Sequence, residues 1–121
     1  MLINNVDDHL QNIGFLHVEK GKWRLSPAFD VNPFPDKARA LKTWISEESG
    51  DAASIGALME TSDSFQISAD RARELLRGVD AAVERWRAIG AELGMTETEL
   101  EPFEPAFEHE ERVAASRVAR R

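Results

Sequence analysis

The 121-residue chain contains no cysteine, which excludes a disulfide framework and a metal site built from thiolates. It also lacks any apolar run near the ~20 residues that a membrane-spanning helix needs. Its first residues have neither the basic start nor the long apolar stretch of a signal peptide. We therefore expect a cytoplasmic protein with no membrane partner.

Positive charge is also limited, because the chain has 15 lysines and arginines but 22 acidic residues, which gives a formal net charge of −7. Nucleic-acid binding needs clustered basic residues, so we expect no direct contact with nucleic acid. The four arginines within residues 112–121 form a local basic cluster. We interpret that cluster as a cation-rich helix end, which the helix dipole favours.

The length and composition indicate one globular domain, since 42% of the residues are hydrophobic and 31% are charged. Near the front, residues 13–18 and 23–25 have the composition of short strands. They flank a turn in which Gly21 can adopt a positive φ. This pattern predicts one small β-hairpin.

Residues 32–37 contain two prolines and predict irregular structure, whereas the chain from Asp51 onward predicts helices, so the expected fold class is mainly α. Asp51 is a candidate cap for a first helix. Apolar residues with a 3.6-residue period then predict a single long helix over 69–93, capped by Ser68 and ended by Gly94. A last helix is predicted from about residue 105 to 117.

The most informative motif lies at residues 7–12, which read Asp-Asp-His-Leu-Gln-Asn, and a further aspartate, Asp30, follows the predicted hairpin. In phosphoryl-transfer sites one carboxylate orients the attacking hydroxyl, while an amide and another carboxylate bind Mg²⁺ on the nucleotide phosphates. Mg²⁺ prefers oxygen donors, typically one or two carboxylates completed by phosphates and water. Asn12 and Asp30 have those donor types, and the hairpin between them returns the chain to the same place.

Residues 7–16 and 25–33 together resemble the HipA-like serine/threonine kinases, the toxins of HipA/HipB-type modules. The resemblance implies the helical C-terminal lobe of a protein-kinase-like fold. It also implies that Asp7 is the catalytic aspartate and that Asn12 and Asp30 are the metal ligands.

The same resemblance implies that His9, Asn12, Phe29 and Asp30 lie against the nucleotide, with Mg²⁺ and ATP as cofactors. It implies a protein serine or threonine as the phosphoryl acceptor. Taken alone, His9 is more typical of a side chain that braces a loop than of a proton shuttle. Taken alone, Asp7 is more typical of a turn or cap residue than of a catalytic one, and only the combination with Asn12 and Asp30 favours an active site.

Two features depart from the family pattern. Position 11 is Gln, where the family usually carries Lys or Arg before the metal-binding Asn. The family's glycine-rich phosphate loop precedes its catalytic loop, and this sequence contains no such loop and no G-x-x-x-x-G-K-[ST] motif. We expect residues 1–121 to be a C-terminal fragment without the N-terminal lobe, inactive alone, in which residues 1–33 carry the site and residues 51–121 the helices.

Two other functions remain open at this point. One is binding without catalysis, to a helix-turn-helix antitoxin or to a separate N-terminal lobe. The other is small-molecule phosphotransfer, because aminoglycoside-kinase-like folds share Asp-x-His-x-x-Asn, although the segment 26–31 favours the HipA-like group. Apolar surface near Leu2, Ile3 and the hairpin is expected to be open and to favour self-association.

Overall fold

The structure is a computed structural model that describes residues 1–36 and 39–120. As predicted, these residues are mainly helical and include one small antiparallel hairpin near the front. The strands are β1 (Phe15–Glu19) and β2 (Lys22–Leu25), and the helices are α1 (Ile55–Glu60), α2 (Ala69–Glu84), α3 (Trp86–Glu92), α4 (Glu97–Leu100), α5 (Glu104–Phe107) and α6 (Glu110–Ala119). Within the described ranges, no helix combines the length and the apolar character needed to cross a membrane.

The hairpin forms because a tight turn joins two short extended segments. Phe15 pairs with Leu25, and the register shifts between His17 and Glu19. Gly21 occupies the turn with a φ of 75°, a conformation that glycine adopts without steric cost, so the predicted role of this residue is confirmed. All residues of both strands are exposed, so the hairpin buries no core of its own.

The apolar core lies between α1, α2 and α6. Its buried side chains are Leu2, Ile55, Leu76 and Ala115. Leu2 comes from the segment before the first strand and is only 9% exposed. The expectation of open apolar surface is therefore wrong at Leu2, because the helices remove this side chain from water. It is confirmed at the hairpin, where Phe15 and Leu25 are exposed.

The predicted long helix over 69–93 is wrong, because the chain breaks at Arg85 into α2 and α3. The break lets Trp86 stack on Phe107, with ring centroids 4.5 Å apart. It also brings Gly90 so close to Leu100 that an added Cβ would lie 2.4 Å from a side-chain carbon. Packing of α3 on α4 and α5 thus overrides a periodic pattern that continues through the break.

The predicted helix over 105–117 is also wrong, because it is divided into α5 and α6. His109 is extended at the break, and its Nδ1 accepts a hydrogen bond from the backbone N–H of Arg112 at 3.3 Å. Histidine thus acts as the N-cap of α6. Ser54, rather than Asp51, caps α1. The cap predicted at Ser68 is confirmed, and Thr96 forms a capping box with Glu99 at the start of α4.

Candidate active site

The base of the hairpin brings the two predicted metal-binding segments together. The backbone N–H of Ser26 donates to the carbonyl of Gly14 at 2.8 Å. A Cβ on Gly14 would lie 3.0 Å from the Ser26 hydroxyl and 3.3 Å from the Phe29 ring, so the absence of a side chain permits this close approach. Asn12 precedes Gly14 by two residues and Asp30 follows Phe29 directly. Both predicted ligands therefore leave the sheet at the same end.

A short 3-10 turn, Leu10–Asn12, connects Asp7 with Asn12. The Asn12 side chain donates from Nδ2 to the Asp7 carbonyl oxygen at 3.3 Å. This hydrogen bond fixes the amide so that Oδ1, the atom a cation would bind, faces away from that carbonyl. Partners of this kind orient metal ligands in proteins.

Asp30 has a left-handed backbone, with a φ of 57°. Aspartate and asparagine tolerate this region better than most residues, but it remains uncommon. The Asp30 Oδ1 atom accepts a hydrogen bond from Nδ2 of Asn32 at 2.8 Å, which leaves Oδ2 on the other side of the carboxylate. Uncommon backbone conformations occur often at functional sites, so the geometry suits a residue placed for chemistry.

The carboxylate of Asp7 forms an ion pair with Lys42, whose Nζ lies 3.0 Å from Oδ2. The backbone N–H of Lys42 also donates to the Val6 carbonyl at 3.0 Å. Sequence reasoning missed Lys42 because the segment around it has no periodic pattern. No local signal connects residue 42 with residue 7, since the contact is made only by the fold.

Asn4 joins the segment before Asp7 to the segment after Asp30. It is 2% exposed, has a φ of 51°, and donates from Nδ2 to the carbonyls of Phe34 (2.9 Å) and Asp36 (2.8 Å). A buried amide with hydrogen-bond partners fixes the local chain path, because losing those partners costs free energy. Nothing in the sequence marks this residue as important beyond the tolerance of asparagine for left-handed backbone.

The other predicted nucleotide contacts are His9 and Phe29. The Nδ1 atom of His9 is buried and has no hydrogen-bond partner among the described residues. Phe29 lies against Gly14 and is 45% exposed. The roles of both residues in nucleotide binding stay predictions, as do the roles of Asp7, Asn12 and Asp30.

The described residues offer few side chains that could bind a metal ion without further ligands. Residues 1–36 and 39–120 contain no group of three or more His, Cys, Asp or Glu side chains able to hold one. Asn12 and Asp30 offer one amide and one carboxylate, and Mg²⁺ commonly takes its remaining ligands from phosphates and water. The residues therefore fit Mg²⁺ as part of a nucleotide complex, and not as a cage made by the protein alone.

A family model described as the HipA-like C-terminal domain matches residues 1–86, which is more than half of the chain. The chain therefore belongs to the HipA-like C-terminal domain family. The match includes both segments of the candidate site and the helices α1 and α2. No curated protein matches the chain, and no solved structure matches it.

Proposed function

We propose that this chain carries the catalytic and metal-binding residues of a HipA-like serine/threonine protein kinase. When an ATP-binding lobe completes the site, the assembled kinase transfers the terminal phosphoryl group of Mg-ATP to a serine or threonine of a protein. The observation that supports this most is the base of the hairpin, where Asn12 and Asp30 leave the sheet together while Asn12 hydrogen-bonds Asp7.

In this proposal each residue has a separate role. Asp7 orients the acceptor hydroxyl and takes its proton as the phosphoryl group is transferred. Asn12 Oδ1 and the Asp30 carboxylate hold Mg²⁺ on the nucleotide. When bound, the ion would neutralise charge on the phosphates.

The site needs donors from outside the 121 residues. Stabilising the charge of the transferring group requires oriented donors around it, and the sequence contains no glycine-rich phosphate loop. We therefore expect the isolated chain to bind nucleotide weakly and not to turn over. Strong phosphoryl transfer by the isolated chain would show that no second lobe is needed.

Reconstitution tests the catalytic role of Asp7. The chain is mixed with the N-terminal lobe of a HipA-like kinase, and transfer of ³²P from Mg-ATP to protein is measured. We expect Asp7→Asn to lower the rate about 10²- to 10⁴-fold, because the proton acceptor is lost. Asp8→Asn is the matched control, since it removes the neighbouring exposed carboxylate. Equal rates for Asp7→Asn and the unaltered chain would contradict the proposal.

A second candidate function is binding without catalysis, either to a helix-turn-helix antitoxin or to a separate N-terminal lobe. The observation that favours it is the hairpin, on which Phe15, Trp23 and Leu25 are each more than 60% exposed. Exposed apolar side chains that lie close together are typical of interaction surfaces. Binding of such a partner that is unchanged by Asp7→Ala, with no phosphoryl transfer in the complex, would support this alternative.

A further inference from the structure

We infer that Lys42 supplies a positive charge to the nucleotide phosphates at this site, an inference that rests on the proposed function. Gln11 lies in the 3-10 turn directly before Asn12 and is exposed. Its amide can donate hydrogen bonds but carries no charge. Charge-assisted hydrogen bonds to phosphate are about twice as strong as neutral ones. A cation from another segment would therefore restore what Gln11 lacks.

The fold places Lys42 beside the proposed catalytic aspartate. Its Nζ lies 3.0 Å from Oδ2 of Asp7. The backbone N–H of Lys42 donates to Val6 at 3.0 Å, and the N–H of Leu41 donates to Asp51 at 2.8 Å. These backbone hydrogen bonds fix residues 41 and 42 between the catalytic segment and the loop before α1. The approach of Lys42 to Asp7 is therefore set by the backbone as well as by the two side chains.

A ligand can reach this ion pair. The Lys42 side chain is 66% exposed and the Asp7 side chain is 55% exposed. The lysine ammonium has three N–H donors, and Asp7 accepts from one of them. Two donors thus remain for the oxygens of a phosphoryl group. Since Asp7 orients the acceptor hydroxyl in the proposed reaction, Lys42 lies where the acceptor and the phosphoryl group meet.

Another ion pair in the chain provides a matched control. Lys22 pairs with Glu19 at the far end of the hairpin, and these side chains are 71% and 60% exposed. The chemistry and the exposure are nearly those of the Lys42–Asp7 pair. Lys22 differs in lying away from Asn12 and Asp30, at the opposite end of the strands. Lys22→Ala therefore measures the effect of losing an exposed lysine as such.

The experiment is a nucleotide titration of the ¹⁵N-labelled chain, followed by the amide signals of residues 7–12 and 30. Mg-ATP and Mg-ADP are titrated separately, so weak binding gives a Kd for each. We expect Lys42→Ala to weaken Mg-ATP binding about threefold to tenfold, the loss of one charge-assisted contact. Mg-ADP, which lacks the terminal phosphate, should be affected less. Lys22→Ala should leave both Kd values unchanged.

A rescue variant separates loss of charge from loss of structure. Adding Gln11→Lys to Lys42→Ala places a cation directly before the proposed metal ligand Asn12. We expect this double variant to recover most of the lost Mg-ATP affinity. Recovery would support the inference, because a charge at residue 11 cannot replace a purely structural contact made by Lys42.

The outcomes distinguish the inference from the proposed function. If Asp30→Asn weakens binding of both nucleotides while Lys42→Ala changes neither, the role of Lys42 is wrong and the proposed function stands. If Lys42→Ala weakens Mg-ATP binding but Gln11→Lys restores none of it, the inference that Lys42 acts through its positive charge is wrong. If neither nucleotide shifts the signals of residues 7–12 and 30 in the unaltered chain, the inference is wrong, whereas the proposed function is decided by phosphoryl transfer in the reconstituted kinase.

Discussion

Two ion pairs with similar chemistry serve different purposes in the two halves of this chain. Between α2 and α6, Arg112 pairs with Asp80, and their side chains are only 12% and 13% exposed. Arg112 also donates to the Asp80 carbonyl at 3.2 Å, and the Ser116 hydroxyl donates to the Asp80 carboxylate at 2.8 Å. In the front part, the Lys42–Asp7 pair is mostly exposed. The first pair is enclosed and its charges serve the fold, whereas the second is open to a ligand.

The same contrast applies to the apolar residues. The helical part has a buried cluster that includes Ile55, Leu76 and Ala115, while every residue of the two strands is exposed. The front part is held by the buried side chain of Leu2 and by hydrogen bonds such as those of buried Asn4. The candidate site therefore depends for its stability on a helical scaffold that contributes none of the predicted catalytic or metal-binding side chains.

The largest expected effect on stability comes from breaking the enclosed pair. We expect Arg112→Ala to lower the free energy of unfolding by about 2–4 kcal/mol, because Asp80 would keep an uncompensated charge in a poorly solvated place. Urea denaturation measures this change. Arg71→Ala is the matched control, since Arg71 pairs with Glu74 on α2 but both side chains are more than half exposed. Equal losses for the two variants would show that the enclosure of Arg112 does not matter.

A smaller effect on stability is expected from protonation of His109, which lies three residues before Arg112 in the sequence. Burial, and then the positive charge of Arg39, lowers the pKa of His109 from 6.5 to about 4. Between these values the unfolded chain binds more protons than the folded chain. The free energy of unfolding therefore falls as the pH falls from about 6.5 to about 4. The contribution should be about 1–2 kcal/mol, since solvent screens a ring that is partly exposed.

His109→Asn isolates this contribution, because asparagine is also a good N-cap but does not titrate in this range. Denaturation curves of the variant and the unaltered chain are compared at pH 7 and pH 4.5. We expect the difference in stability between these two pH values to be smaller in the variant. An identical pH dependence in both proteins would contradict the account of His109.

The smallest effect on stability is expected at the open pair. A double-mutant cycle with Lys42→Ala and Asp7→Ala should give a coupling energy of about 0.2–1 kcal/mol, as exposed pairs do. Raising the salt concentration should reduce it further, because screening acts strongly on exposed charges. A coupling above about 2 kcal/mol, which exposed pairs do not reach, would remove the contrast between the two pairs.

The parts of the fold that the sequence predicted are those set by neighbouring residues. The turn at Gly21, the cap at Ser68 and the helix stop at Gly94, where φ is 90°, all follow from local backbone preferences. The break at Arg85 does not follow from local preferences, because the 3.6-residue repeat of apolar side chains continues through it. The break accompanies a ring contact between Trp86 and Phe107, a residue that lies far along the chain.

The candidate site divides in the same way. Asp7, Asn12 and Asp30 are predicted from residue types and spacing that are typical of phosphoryl-transfer sites, and their roles stay predictions. Lys42 and Asn4 could not be predicted, since each reaches the site through contacts that connect distant segments. Residue type alone gives no indication of such contacts, and only the folded chain shows them.

The central claim is that Asn12 and Asp30 bind one divalent cation together with a nucleotide. Mn²⁺ can replace Mg²⁺ and broadens the amide signals of nearby residues, so Mn-ATP added to the ¹⁵N-labelled chain tests the claim directly. We predict selective broadening at residues 7–12 and 29–32, absent from α6 and lost in Asp30→Asn. Broadening that is centred elsewhere, or that persists unchanged in Asp30→Asn, would contradict the claim.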